Sequence, residues 1–122
     1  MKKILIVDDQ PEVRELVDVT LSSEDTHIIK AASGEEAVEV TRGESPDLII
    51  MDIMMPGEID GLEATRILKS DPRTRNISIL LLTAKGQDRD IEKGLEAGAD
   101  AYFIKPFSPL ELIHKVEEIL GT

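Results

Sequence analysis

Short apolar runs alternate along the whole chain with stretches whose apolar residues return every three or four positions. Ile4–Val7 is apolar throughout and predicts a strand. Pro11 suits a first helical turn, and Val13, Leu16, Val17 and Leu21 then recur at helical spacing. His27–Ala31 is a second, weaker strand. Ser33 with Glu36 has the pattern of a capping box and opens a second helix. Asp47–Met51 reads as a third strand, and Asp60 with Glu63 starts a helix carrying Leu62, Ile67 and Leu68. Ser78–Leu82 is a fourth strand. Asp88–Ala97 reads as a helix bearing Ile91 and Leu95, with Gly98 where such a helix ends. Ala101–Ile104 is a fifth strand. Ser108, Pro109 and Glu111 open a last helix with Leu112, Ile113, Val116 and Leu120 on its apolar face, and the chain stops just past it at Gly121-Thr122.

Strands that are apolar throughout, alternating with helices, predict a parallel sheet covered on both faces. Right-handed crossovers make a doubly wound α/β sheet the expected solution. A length of 122 residues suits one domain spanning 1–122. Aromatic residues are 2% of the chain, so the core is aliphatic and offers little stacking surface for bases or ring cofactors. With no cysteine, disulfides and thiolate metal sites are excluded. No segment reaches the ~18 apolar residues of a membrane span, so a soluble, cytoplasmic protein is expected. A net charge of −11 opposes contact with nucleic acid, because that affinity comes largely from cations meeting phosphates.

Ligands of open parallel sheets sit outside the carboxyl ends of the strands. The first strand ends in Asp8 and Asp9, the third in Asp52, the fourth in Thr83 and the fifth in Lys105. Each has a plain structural explanation. Asp9 before Pro11 fits a helix cap, Thr83 the start of a turn, and Lys105 a solvated loop cation or a counter-ion to the acids. Together they put three carboxylates, a hydroxyl and an ammonium on one rim. Two like charges ~4 Å apart repel by about 4 kcal/mol at an effective dielectric near 20, so the acids need a counter-charge or open water. Oxygen donors alone suit a hard cation such as Mg²⁺. A carboxylate beside such an ion can act as a nucleophile towards phosphorus, with Lys105 and Thr83 facing the phosphoryl oxygens.

Four stretches, ILIVDD, MDIMMP, LLLTA and YFIKPF, occur in order along the chain. In these the sequence resembles the receiver domain of bacterial two-component response regulators, including chemotaxis-regulator-like members. The resemblance implies a flavodoxin-like sheet of five parallel strands in the order 2-1-3-4-5. It implies a phosphorylation switch in which a sensor histidine kinase or a phosphotransfer protein delivers a phosphoryl group to Asp52. Asp9 would bind Mg²⁺ directly, with Mn²⁺ as an alternative ion, and Asp8 mostly through water. Met54 would offer its backbone carbonyl. Lys105 would contact the phosphoryl group, Thr83 would move towards it and Tyr102 would change rotamer. The Lys105-Pro106 bond would be cis. A downstream protein would read the surface formed by residues 88–120, without direct contact to nucleic acid or membrane, and Met54 and Lys85 would set water access to the phosphate. Taken alone, Tyr102 reads as a half-buried strand residue, and Met51, Met54 and Met55 as apolar filler.

The chain departs from the family pattern in two places. One residue more than usual separates Asp52 from Asp60-Gly61, lengthening the loop near Gly57 and Glu58. Ala-Asp-Ala-Tyr stands where many DNA-binding members have Ala-Asp-Asp-Tyr, which weakens the case for dimerisation through their shared charges. The rival readings are an aspartyl-nucleophile phosphatase, a flavin carrier and an unphosphorylated receiver-like scaffold. The first wants a second Asp where Met54 stands, and the second wants a Ser/Thr/Gly-rich phosphate loop where Asp8-Asp9-Gln10-Pro11 stands. Under the receiver reading the chain catalyses only its own aspartyl phosphorylation and dephosphorylation, and is not an enzyme acting on a diffusing substrate.

Overall fold

The computed structural model describes residues 1–84 and 88–121. Lys85 and the terminal Thr122, both drawn on above, lie outside the described residues. Strands and helices alternate strictly: β1 (Lys2–Val7), α1 (Pro11–Leu21), β2 (Thr26–Ala31), α2 (Gly34–Glu44), β3 (Leu48–Asp52), α3 (Gly61–Ser70), β4 (Ser78–Ala84), α4 (Asp88–Glu96), β5 (Ala101–Lys105) and α5 (Pro109–Leu120). The strands form one parallel sheet in the order β2-β1-β3-β4-β5, which is the flavodoxin-like arrangement.

Alternation along each inner strand divides the core into two layers, because successive side chains point to opposite faces. Leu5, Val7, Ile49, Met51, Ile79 and Leu81 meet Ala37 and Val38 of α2 and Leu62, Ala64 and Leu68 of α3. Ile4, Ile6, Leu48, Ile50, Leu80 and Leu82 meet Val17 and Leu21 of α1 and Leu112 and Val116 of α5. The helix starts follow local chemistry. Ser33 Oγ accepts from the Glu36 amide, and Asp60 Oδ1 accepts from the Glu63 amide. Gly98 adopts φ +108° just past α4, a conformation that favours glycine.

Several expectations are corrected in detail. Asp47 precedes β3, and its carboxylate instead accepts from the Lys3 amide. Ser108 makes no side-chain cap for α5. Leu16 is 49% exposed, because the next residue, Val17, faces the core and each helical step turns the side chain by about 100°. Leu95 is also exposed. α4 approaches the sheet through Gly94, where a Cβ would lie 2.6 Å from Leu81 Cδ1, so the next residue, Leu95, is left outside while Ile91 is half-buried.

Candidate functional site

The strand register delivers the rim residues to one edge. Val7 lies opposite Met51, Asp52 opposite Leu82, and Ala84 opposite Lys105. The side chains of Asp8, Asp9, Asp52, Thr83 and Lys105 therefore leave the sheet at its carboxyl end. The strand order reverses at β1 and β3, which opens a crevice there.

Asp8 is completely buried and fully engaged. Its Oδ1 accepts from the Gln10 amide at 2.9 Å, and its Oδ2 accepts from Lys105 Nζ at 3.0 Å. Its own amide donates to Ala31 O, and its carbonyl accepts from Arg14 Nη1 at 2.6 Å. The N-cap of α1 is Gln10, without a side-chain bond, so Asp9 does not cap the helix. Asp9 is exposed, and water relieves its charge. The doublet is thus tolerated by separation of duties: one acid is paired inside and the other is solvated outside.

Asp52 is 8% exposed, with Oδ1 at 3.5 Å from Lys105 Nζ. Burial first, and then the charge of Asp8, push its carboxyl up to about 6, against the opposing pull of Lys105 and the Met54 amide. It remains ionised at neutral pH and is more basic than an ordinary aspartate. The carboxylate oxygens of Asp8, Asp9 and Asp52 approach within 4.8 Å of one another. A donor set made only of carboxylate oxygen fits a hard divalent cation.

Thr83 is 2% exposed, and its Oγ1 has no hydrogen-bond partner among the described residues. Burying a hydroxyl without a partner costs about 1–3 kcal/mol, so its place at the same carboxyl edge of the sheet, one residue past the partner of Asp52 and one before the partner of Lys105, suits an incoming oxygen acceptor. The Lys105-Pro106 bond is cis. Tyr102 is 40% exposed and pairs in register with Leu81. Met51 and Met55 are buried, but Met54 is 62% exposed, so it is not core filler. Lys105 acts as a counter-ion to the acids, half-buried and bridging Asp8 and Asp52.

Two residues outside the sequence reading belong to the surroundings of the site. Arg14 braces the Asp8 carbonyl; its only signal in the sequence is a basic residue in the first turns of a helix that follows two acids. Gly61 packs against the acceptor strand, where a Cβ would lie 2.2 Å from the Asp52 carbonyl oxygen. A glycine at the start of a helix carries no sequence signal for such a contact.

A family model for the response regulator receiver domain matches residues 4–117, nearly the whole chain. The chain belongs to the response regulator receiver domain family. This receiver domain is 43% identical over 119 residues to the phosphate regulon transcriptional regulatory protein PhoB of Pseudomonas aeruginosa, covering 98% of the chain and 52% of that protein. It is 42% identical to the alkaline phosphatase synthesis transcriptional regulatory protein PhoP of Bacillus subtilis, covering 98% of the chain and 48% of that protein. The chain therefore spans about half the length of the curated relatives it matches. Among solved structures, the receiver domain superposes on a response regulator from Chloroflexus aurantiacus with a TM-score of 0.92 at 39% identity, covering 99% and 98% of the two chains. It also superposes on the receiver domain of a sensor histidine kinase from Pseudomonas aeruginosa, with a TM-score of 0.89 at 31% identity and 99% and 98% coverage. That structure holds a magnesium ion coordinated in the active site cleft. Among the described residues of the chain itself, no helix is long and apolar enough to cross a membrane.

Proposed function

We propose that the chain is a phosphorylation-dependent signalling switch whose acceptor is Asp52. One observation carries the reading: a buried, basic carboxylate lies 3.5 Å from an ammonium, at the sheet edge where the buried Thr83 hydroxyl has no partner among the described residues. An Asp52 oxygen attacks the phosphorus of a phosphohistidine on a kinase or phosphotransfer protein. The new O–P bond forms as the P–N bond breaks, and the departing imidazole keeps the electron pair. Lys105 Nζ and Thr83 Oγ1 then donate to the phosphoryl oxygens, stabilising charge where it develops. Hydrolysis reverses the charge: water attacks phosphorus, the O–P bond breaks, and Asp52 returns as a carboxylate with phosphate released.

Asp9, Asp52 and the Met54 carbonyl would hold a divalent ion, Mg²⁺ or Mn²⁺, with Asp8 contributing mostly through water. When bound, the ion supplies positive charge against both the carboxylates and the phosphoryl oxygens. Tyr102 follows Thr83, and the surface of residues 88–120 carries the readout to a downstream protein. That readout is a population shift, bounded by how differently the two states hold the phosphoryl group. The domain turns over no diffusing substrate. Its −11 charge disfavours direct contact with nucleic acid. A DNA-binding output, as the names of the transcriptional regulators suggest, would then lie elsewhere in a longer protein.

The test is incubation with Mg²⁺ and acetyl phosphate followed by intact mass. Wild type gains one phosphoryl group that hydroxylamine removes, and chelation of the metal prevents the gain. Asp52→Asn gains nothing. A gain on the variant moves the acceptor elsewhere, and no gain on wild type favours the scaffold.

A further inference from the structure

The lengthened segment between β3 and α3, residues 53–60, is held by α2 as well as by its own strand and helix. Gly34, the first residue of α2, lies flat against it: a Cβ there would be 2.1 Å from the Ile59 carbonyl oxygen and 2.8 Å from the Ile59 carbonyl carbon. The next residue reaches further. Glu35 Oε1 accepts from the Ile59 amide at 3.0 Å, and no other side-chain hydrogen bond ties α2 to this segment among the described residues. Its carboxylate also lies under Gly57, where a Cβ would be 3.1 Å from Glu35 Oε2. Gly57 has φ +109°, so a side chain at that position would be both strained and crowded. Two residues beyond Ile59 the segment closes on the acceptor. The Gly61 amide donates to Ile53 O at 3.0 Å, and Gly61 abuts the Asp52 carbonyl.

We infer that Glu35 is a positioning residue for the acceptor loop: its carboxylate, hydrogen-bonded to the Ile59 amide beneath Gly57, holds the extra length of residues 53–60 so that Asp52 and Met54 keep their places. An inserted residue adds one more backbone amide that needs an acceptor, and a loop without one samples other conformations. Ile53 and Met55 anchor the near half by burial and Ile59 packs at the rim of the core, whereas Gly57 and Glu58 between them are exposed. Glu35 supplies the acceptor that the Ile59 amide needs and lies under the exposed stretch between the two apolar anchors. The contact is 24 residues away in sequence and lies on the second helix, so it couples α2 to a site built from β1, β3, β4 and β5.

The effect on phosphorylation rests on the function proposed above; the effect on the loop does not. Glu35→Ala and Glu35→Gln are compared with wild type by amide hydrogen exchange without phosphodonor, and by the rate of mass gain with acetyl phosphate and Mg²⁺. Glu35→Ala exchanges faster at Ile59 and Met54 and is phosphorylated about three- to tenfold more slowly, the range set by losing one such hydrogen bond. Glu35→Gln keeps an acceptor oxygen in the same place and restores most of both losses. Unchanged exchange at Ile59 in Glu35→Ala overturns the inference. So does a Gln variant as impaired as Ala, because then the charge and not the hydrogen bond matters. If wild type takes up no phosphate while exchange behaves as stated, the clamp stands and the phosphorylation reading falls.

Discussion

β3 and β5 each deliver one charged residue to the same site, yet they are built in opposite ways. Every residue of β3 is buried, and the strand pairs with β1 on one side and β4 on the other. β5 is the edge of the sheet, pairs only with β4, and alternates between partly buried and exposed positions, leaving Tyr102 and Ile104 40% and 42% exposed. The proposed acceptor Asp52 thus comes from a strand buried along its whole length, and the cation that faces it from a half-exposed edge strand. Dense packing resists displacement, whereas a strand with few buried contacts opens at low cost. On the proposed reading, a change of charge at Asp52 would be taken up on the β4–β5 side, where the Thr83 hydroxyl has no partner among the described residues, and not at β1, where every polar atom of Asp8 is already engaged.

The strongest way to break this contrast is to truncate one side chain in each strand. Ile50→Ala should lose about 2–5 kcal/mol, because a fully buried site cannot collapse around the cavity. Ile104→Ala, half in water, should lose about 1 kcal/mol or less. Urea unfolding measures both, and equal losses would erase the distinction.

Asp52 itself should cost stability in the absence of metal. Its carboxyl stands at about 6 in the folded chain against 3.8 ordinarily. A raised acid is not penalised while protonated, so the cost is absent below about pH 4, grows between pH 4 and 6, and is complete above that. Asp52→Asn should then be more stable than wild type near neutral pH by an amount on the order of 2–3 kcal/mol, with the gap vanishing near pH 4. Unfolding at both pH values in chelator measures this, and addition of Mg²⁺ should narrow the gap by stabilising wild type alone. A gap independent of pH would remove the electrostatic explanation.

A smaller effect sharpens the β4 side. Thr83→Val replaces a hydroxyl that has no partner among the described residues by a methyl of nearly the same shape, so it should leave stability unchanged or raise it by up to about 1 kcal/mol. Phosphoryl uptake should fall all the same. A clear loss of stability on calorimetry would mean that the hydroxyl is already bonded.

Much of the fold is legible from periodicity, because a buried parallel strand has to be apolar along its whole length and a surface helix apolar along one stripe. Leu48–Ile50 and Leu80–Leu82 leave little choice. The candidate site is legible for a related reason: Asp8, Asp52 and Lys105 interrupt or end apolar runs, and a charge at the end of a buried strand has few places to go. Exposure is harder to read. Leu16, Met54 and Leu95 are apolar by composition and exposed in fact, because their orientation depends on which neighbouring residue seats the helix or loop. Arg14 and Glu35 are hidden for a further reason. Charged residues on helices are usually solvated, and nothing local marks one that turns back to hold another segment.

By itself, then, the sequence determined the order of the elements, the two-sided aliphatic core and the identity of the groups at the strand ends, since these follow from local periodicity and from the chemistry of each side chain. Only the tertiary structure decided that Asp8 pairs with Lys105 while Asp9 faces water, that Thr83 is buried without a partner among the described residues, and that Glu35 accepts from the loop after Asp52. Those are relations between residues 24 to 97 positions apart, or between adjacent residues on opposite sides of a surface. Such relations are set by how the packed layers meet, and no local pattern of residues encodes them.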